Sequence, residues 1–418
     1  MGDSLENTFS ATDDLSDFTI AGPTTLDSSA KYKTINKERS EMKLGIENID
    51  DYLYLFEGKR VGLITNPTGV DQDFRSTIDI LNEKVNLCSL FAPEHGIRGE
   101  VQAGVQLDTY TDKKTGLTVY SLYGKSKRPT KEMLDNIDII CFDIQDVGCR
   151  FYTYIWTLAY VMEAAAEFNK KVVVFDRPNP LGGLRVEGNI LKPEYKSFVG
   201  YLEIPQRHGL TVGELAIMFK EHFKINCELD IVKMSGWKRE MYFEDTGLDY
   251  ILPSPNLPTP ESVLAYLTTC IFEGTNISEG RGTTKPFQFF GHPNLDPELF
   301  VSSFEEYKLE GCKLRPIYFT PKFSKHKGEL CGGVELFVTN KDIFSPVKTS
   351  FVLFYEMQKV LDNFEILQPF KKGKNLFLEL LVGDDFLTKN PMSLDAIMEK
   401  IDKDSHEFEI LKVKYQLY

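Results

Sequence analysis

The chain has 418 residues, 42% of them hydrophobic and 26% charged, which is the balance of a soluble globular protein long enough for two or three domains. A formal charge of −14 at pH 7 and a pI near 5.1 argue against a nucleic-acid surface, which needs a basic patch, and mean that any acidic sugar or peptide ligand requires a local cluster of Arg and Lys. Seven scattered cysteines without a CxxC pair read as reduced core residues, which excludes a disulfide framework or zinc ribbon.

Residues 1–40 are rich in Ser, Thr and Asp and poor in large apolar side chains, so they are expected to form a disordered polar tail. The first residues lack the basic and apolar regions of a signal peptide, and position 6 is Glu where a myristoylation signal requires Ser or Thr. No window approaches the roughly 18 apolar residues of a membrane span. The chain as given therefore reads as cytoplasmic, with no membrane segment.

From residue 44 strand-like and helix-like segments alternate. VGLITN (61–66) ends in the turn Asn66-Pro67-Thr68-Gly69; FRSTIDILNEK reads as a helix; LCSLFA (87–92) is a buried strand stopped by Pro93. TVYSLY (118–123) and the short helix KEMLDN lead to IDIICFDI (137–144), whose near-continuous apolar run suits a central parallel strand. A helix-like stretch carrying Tyr152 and Tyr160 follows, then KVVVFDRPNP (171–180) with Asp176 and Arg177 at its end. TVGELAIMFKEHF has Thr211 and Glu214 in capping-box register, and ELDIVKM (228–234) reads as the next strand. This alternation predicts an α/β protein with a Rossmann-like, doubly wound, mostly parallel sheet over residues 41–288. No βα turn carries GxGxxG or GxxxxGK[ST], so dinucleotide and P-loop readings lack support.

The grammar then changes. PSPNLPTP (253–260), with Asn256 at its centre, must be an extended loop, and FEGTNISEGRGTTKPF (272–287) is a glycine-rich loop bearing Glu273, Glu279 and Arg281. The mixed remainder, 289–418, is expected to be a smaller α+β domain.

Ligands of open α/β sheets bind beyond the carboxyl ends of the strands. That edge collects Asn66, Glu94, Tyr123, Asp143, Asp146, Asp176 and Arg177, with His95, Arg98 and Glu100 just past Glu94. Carboxylates dominate, while GxSxG and SxxK are absent, so the chemistry expected is glycoside hydrolysis by a pair of carboxyls drawn from Glu94, Asp143, Asp146, Glu273 and Glu279. Glu94 is the lead candidate from its strand-end position. Six dispersed histidines without HExxH or a close pair make a metal site the minority reading, and neither metal nor cofactor is expected.

Seven blocks, GLITNPTGVD, LFAPEHGIRGE, FDIQDVGCRFYTYIW, DRPNPLGG, RHGLTVGELA, PSPNLPT and FEGTNISEGRGTTKPF, together resemble the DUF1343 family of NamZ-type exo-β-N-acetylmuramidases. The resemblance runs from about residue 44 to the closing YQLY. It implies a Rossmann-like domain joined to a smaller C-terminal domain with an active site between them, and release of N-acetylmuramic acid from non-reducing ends of peptidoglycan fragments. The family's glutamate falls on Glu94, as general acid, with Asp143, Asp146 and Glu279 as further catalytic candidates. Asn66, His95, Arg98, Tyr152, Asn256 and Arg281 are expected to bind the saccharide, Arg281 or Arg98 pairing with the lactyl carboxylate. The competing expectation is a non-catalytic peptidoglycan- or amino-sugar-binding protein on the same fold.

Overall fold

Leu63, Cys141 and Val173 lie on one face of the main sheet and Ile64, Phe142 and Val174 on the other, all wholly or almost wholly buried, because side chains alternate along a strand. Both faces are therefore covered, as the continuous apolar runs require. The computed structural model describes residues 41–93, 96–98, 109–122, 127–369, 371 and 373–418. The expected tail 1–40 and the candidates Glu94, His95, Glu100 and Tyr123 lie outside the described residues.

Among the described residues the first half of the chain runs β1 (Arg60–Thr65), α1 (Thr77–Lys84), β2 (Asn86–Ala92), β3 (Tyr110–Thr111), β4 (Thr118–Ser121), α2 (Lys131–Leu134), β5 (Ile139–Asp143), α3 (Tyr154–Glu167), β6 (Lys171–Phe175), α4 (Val212–Glu221) and β7 (Glu228–Val232). These strands form a seven-stranded sheet in the order β3-β4-β2-β1-β5-β6-β7, parallel throughout except for the short β3. Without β3, this is the 3-2-1-4-5-6 order of a doubly wound sheet, whose winding reverses between β1 and β5. Thr65 pairs with Asp143, so the carboxyl ends of these two strands stand level at the reversal point.

One face of the sheet is covered by α1 and by a 3-10 helix, Gly45–Leu55, through Ile78, Leu81, Ile46 and Ile49. The other is covered by α3 and α4, through Ile155, Trp156, Leu215 and Phe219. Thr211 and Glu214 close the capping box expected at the start of α4.

The second half runs α5 (Pro260–Thr269), β8 (Phe289–His292), α6 (Pro297–Glu305), β9 (Cys312–Phe319), β10 (Cys331–Val338), α7 (Pro346–Val360), α8 (Phe377–Val382) and α9 (Leu394–Lys412). Its strands make an antiparallel sheet ordered β8-β10-β9. Phe290, Val334 and Leu336 on one face join the same buried cluster as α3 and α4, so the two halves share a core. No helix among the described residues is long and apolar enough to cross a membrane.

Arg150 joins the halves. Wholly buried, it donates through Nη1 to the carbonyls of Asn189 and Ile204 at 2.7 and 2.9 Å. Nη2 donates to those of Leu381 and Val382, at 3.1 and 2.6 Å, at the end of α8, where unpaired helix carbonyls favour a cation. Burial pushes this guanidinium below its ordinary pKa, so the cation persists because the carbonyls hold it. Arg150→Met leaves those acceptors without their donor, and we expect a loss of about 3 kcal/mol, read as a lower urea midpoint at an unchanged slope.

Candidate active site

The carboxyl edge is stitched together by buried side chains. Asp143, which ends β5, accepts two parallel hydrogen bonds from Arg177, at 2.5 Å from Nε and 2.9 Å from Nη2, and a further one from the Thr77 hydroxyl. Arg177 also donates to the carbonyl of Val70, tying the end of β6 to the turn after β1. Asn66 Oδ1 accepts from the amide and hydroxyl of Thr68, and the Thr68 hydroxyl accepts from the amide of Gln145. Gln145 in turn donates to the carbonyls of Asp146 and Pro178, at 2.8 and 2.7 Å. Asp143 and Asn66 are thus engaged as bracing groups, and what they brace is Asp146.

Asp146 is 3% exposed, and its Oδ2 accepts from the amide of Gly148 at 2.7 Å. Gly148 has φ +78°, and a Cβ there would lie 2.4 Å from Asn179 Oδ1, so only glycine fits. The same turn brings in a residue distant in sequence. Cys149 pairs with Arg207 in an isolated bridge and the Arg150 amide donates to the Gln206 carbonyl, which sets His208 beside Asp146. His208 Nδ1 accepts from the Leu210 amide at 3.2 Å, which leaves the proton of the neutral ring on Nε2, 3.3 Å from Asp146 Oδ2. That approach is a close contact without hydrogen-bond geometry. Asp146 Oδ1 and His208 Nε2 are both buried without a hydrogen-bond partner among the described residues. Both atoms sit at the reversal point of the sheet, where ligands of doubly wound proteins bind.

An aromatic wall leads away from this edge. Tyr152 donates to the carbonyl of Pro253 at 2.6 Å, anchoring the proline-rich loop that carries Asn256. The Tyr152 and Tyr266 rings lie 6.3 Å apart, Tyr266 and Phe287 4.8 Å, and the Arg281 guanidinium is 5.0 Å from the Phe287 ring. At the far end Arg281 meets Glu273 at 2.7 Å and Glu279 at 3.2 Å, while Lys325 meets Glu279 at 2.9 Å. Burial raises the Glu273 pKa despite Arg281; burial works against the Arg281 charge too, but the two glutamates outweigh it and hold that group above its ordinary value. Arg281 is therefore shared between Glu273 and Glu279, and Glu279 between Arg281 and Lys325.

Arg98 lies elsewhere, in a two-pronged pair with Asp112 at 2.9 and 3.1 Å, with Asp79 3.6 Å away. The candidates thus fall into three groups: Asn66, Asp143 and Asp146 at the reversal point; Tyr152 and Asn256 along the wall to Glu279 and Arg281; and Arg98 apart. Sequence reasoning passed over His208 as a lone histidine; the signal available was its place in Arg-His-Gly just before the capping box of α4. Among the described residues no group of three or more His, Cys, Asp or Glu is placed to hold a metal ion.

A doubly wound sheet followed by a small antiparallel sheet is an architecture shared with two crystal structures of DUF1343 family proteins from Bacteroides fragilis. One is 40% identical, with a TM-score of 0.83, covering 91% of this chain and 100% of its own. The other is 32% identical, with a TM-score of 0.72, covering 91% and 99%. The sequence family narrows this further. Residues 61–261 match the N-terminal region of exo-beta-N-acetylmuramidase NamZ, and residues 264–418 match its C-terminal region. The chain is 47% identical over 393 residues to the peptidoglycan beta-N-acetylmuramidase NamZ of Bacillus subtilis (strain 168), covering 92% of this chain and 94% of that protein. The chain belongs to the NamZ family.

The Arg98–Asp112 pair has a pH signature. The Arg98 guanidinium, with help from Thr115, holds the Asp112 carboxyl down to about 2. A carboxyl lowered on folding stabilises the native state above its unfolded pKa, near 4, and loses that contribution as pH falls toward 2. Asp112→Asn should cost about 2 kcal/mol at pH 7 and progressively less below pH 4, measured by urea unfolding across that range.

Proposed function

We propose that this chain is an exo-acting β-N-acetylmuramidase, a glycoside hydrolase that releases N-acetylmuramic acid from the non-reducing ends of peptidoglycan fragments. The observation that carries the reading is the buried carboxylate of Asp146 at the reversal point of the sheet, in a chain 47% identical to a peptidoglycan muramidase.

Hydrolysis of a glycoside needs an acid to protonate the leaving oxygen and a group to stabilise the oxocarbenium-like centre or take a proton from its attacker. Glu94, two residues past the end of β2, is our general acid. Asp146 is our second carboxylate: the Gly148 amide holds Oδ2, and Oδ1 is the oxygen we assign to the attacking water or the sugar's acetamide. The strands β2 and β5 flank β1, so their ends lie two strand spacings apart, about 10 Å, a width that suits a sugar ring. His208 acts by positioning Asp146, and Asp143 with Arg177 by holding the edge rigid, so that little reorganisation is needed at the reaction step. Tyr152 and Asn256, with His95, remain our candidates for contact with the saccharide, while Arg98 is engaged by Asp112. Arg281, already shared between two glutamates, has less charge to offer a lactyl carboxylate, and we assign it first to shaping its loop.

The test is turnover of a chromogenic β-N-acetylmuramide. Glu94→Gln and Asp146→Asn should each lower kcat by a factor on the order of 10² or more while leaving the unfolding midpoint close to that of the parent. Near-normal turnover by either folded variant removes that residue from the mechanism. Dialysis against a chelator should leave the parent rate unchanged; a loss restored by one divalent ion would contradict the carboxylate mechanism.

A further inference from the structure

In a protein of net charge −14, the stretch from Lys308 to Lys327 carries six cations, Lys308, Lys313, Arg315, Lys322, Lys325 and Lys327, against one acid, Glu310. The fold spreads this stretch over β9 and its connection to β10. One face of that sheet is buried through Val334 and Leu336. On the other, Arg315 stands opposite Glu335 and Lys313 opposite Phe337.

Glu335 is 2% exposed and receives two cations, Arg315 at 2.6 Å and Lys285. Two cations on one carboxylate leave a surplus positive charge on a face whose Lys285 and Arg315 side chains are 42% and 62% exposed. Lys285 also sits 5.3 Å from the centre of the Phe337 ring, which is itself 40% exposed. The Lys322 amide donates to the carbonyl of Gly282 at 2.9 Å, and a Cβ on Gly282 would fall within 2.7 Å of the Phe323 backbone. The β9–β10 connection, with its exposed Phe323 ring, is therefore seated directly on the loop that carries Arg281.

We propose that this face is a docking track for the carboxylate-bearing glycan strand beyond the terminal sugar, an inference that rests on the muramidase reading above. Lys313, Lys322 and the surplus charge at Arg315 and Lys285 pair with lactyl and stem-peptide carboxylates, while Phe337 and Phe323 offer flat apolar surface to the sugar rings. Charge complementarity selects this occupant: an acidic protein concentrates exposed cations on one sheet face and its adjoining loop, where an anionic polymer would otherwise be repelled.

The experiment compares the parent with the double variant Lys313→Glu/Lys322→Glu, two exposed lysines that leave the Glu335 pairing intact. The KM for a glycan of several repeats should rise about tenfold with kcat unchanged, and kcat/KM for a chromogenic β-N-acetylmuramide should stay at the parent value. Added salt should raise the parent's KM for the glycan and move the variant's less. Sedimentation with insoluble peptidoglycan gives an independent readout, in which the variant should bind more weakly. Unchanged glycan KM and unchanged sedimentation overturn the track while leaving the muramidase reading standing. Absence of muramide hydrolysis by the parent overturns that reading instead, and sedimentation then still decides whether the face binds the strand. Loss of binding to a phosphodiester polymer with glycan binding unmoved would also overturn the proposal.

Discussion

The buried pair between Asp143 and Arg177 is the constraint on which the carboxyl edge depends. Two charges removed from water are costly unless further hydrogen bonds support them, and here Thr77 from α1 and the carbonyl of Val70 do so. The pair thereby gathers α1, β5, β6 and the turn after β1 at one point. Asn66, Thr68 and Gln145 extend the bracing to the backbone carbonyl of Asp146, while the Gly148 amide holds its carboxylate. A site held in this way has little freedom to reorganise, which is what electrostatic stabilisation of a developing positive centre requires.

The strands were legible because both sheet faces are covered. LCSLFA and IDIICFDI are apolar runs with only isolated polar residues, and each became a strand within two residues of its expected limits, whereas the strand expected over 171–180 ends at Phe175, before Asp176 and Arg177. What escaped detection had weaker periodicity. β9 is half exposed along its length, so KLRPIY shows no clean alternation. The longest helix, α9, buries only Ile397, Ile401, Asp404, Phe408 and Lys412 among nineteen residues and reads as a charged surface segment. The 3-10 helix Gly45–Leu55 buries only Gly45, Ile46 and Ile49 of its eleven residues.

The site was legible in part, for a physical reason. Strand ends can be located from sequence, so Asn66, Asp143 and Asp146 were found together. Which carboxylate is tied up and which is open depends on partners 34 and 62 positions away, Arg177 for Asp143 and His208 for Asp146, and no local pattern encodes those pairings. The same limit applies to Arg281, whose loop marked it as a ligand residue while Glu273 and Glu279 claim much of its charge.

The central claim is that the Asp146 edge cleaves the bond on the far side of a terminal muramic acid. Two disaccharides test it most directly, one with N-acetylmuramic acid at the non-reducing end and one with N-acetylglucosamine there, with products separated by chromatography. The account predicts release of N-acetylmuramic acid from the first, none of either sugar from the second, and loss of the first reaction in a folded Asp146→Asn protein. Equal cleavage of both, or full cleavage by Asp146→Asn, would contradict it.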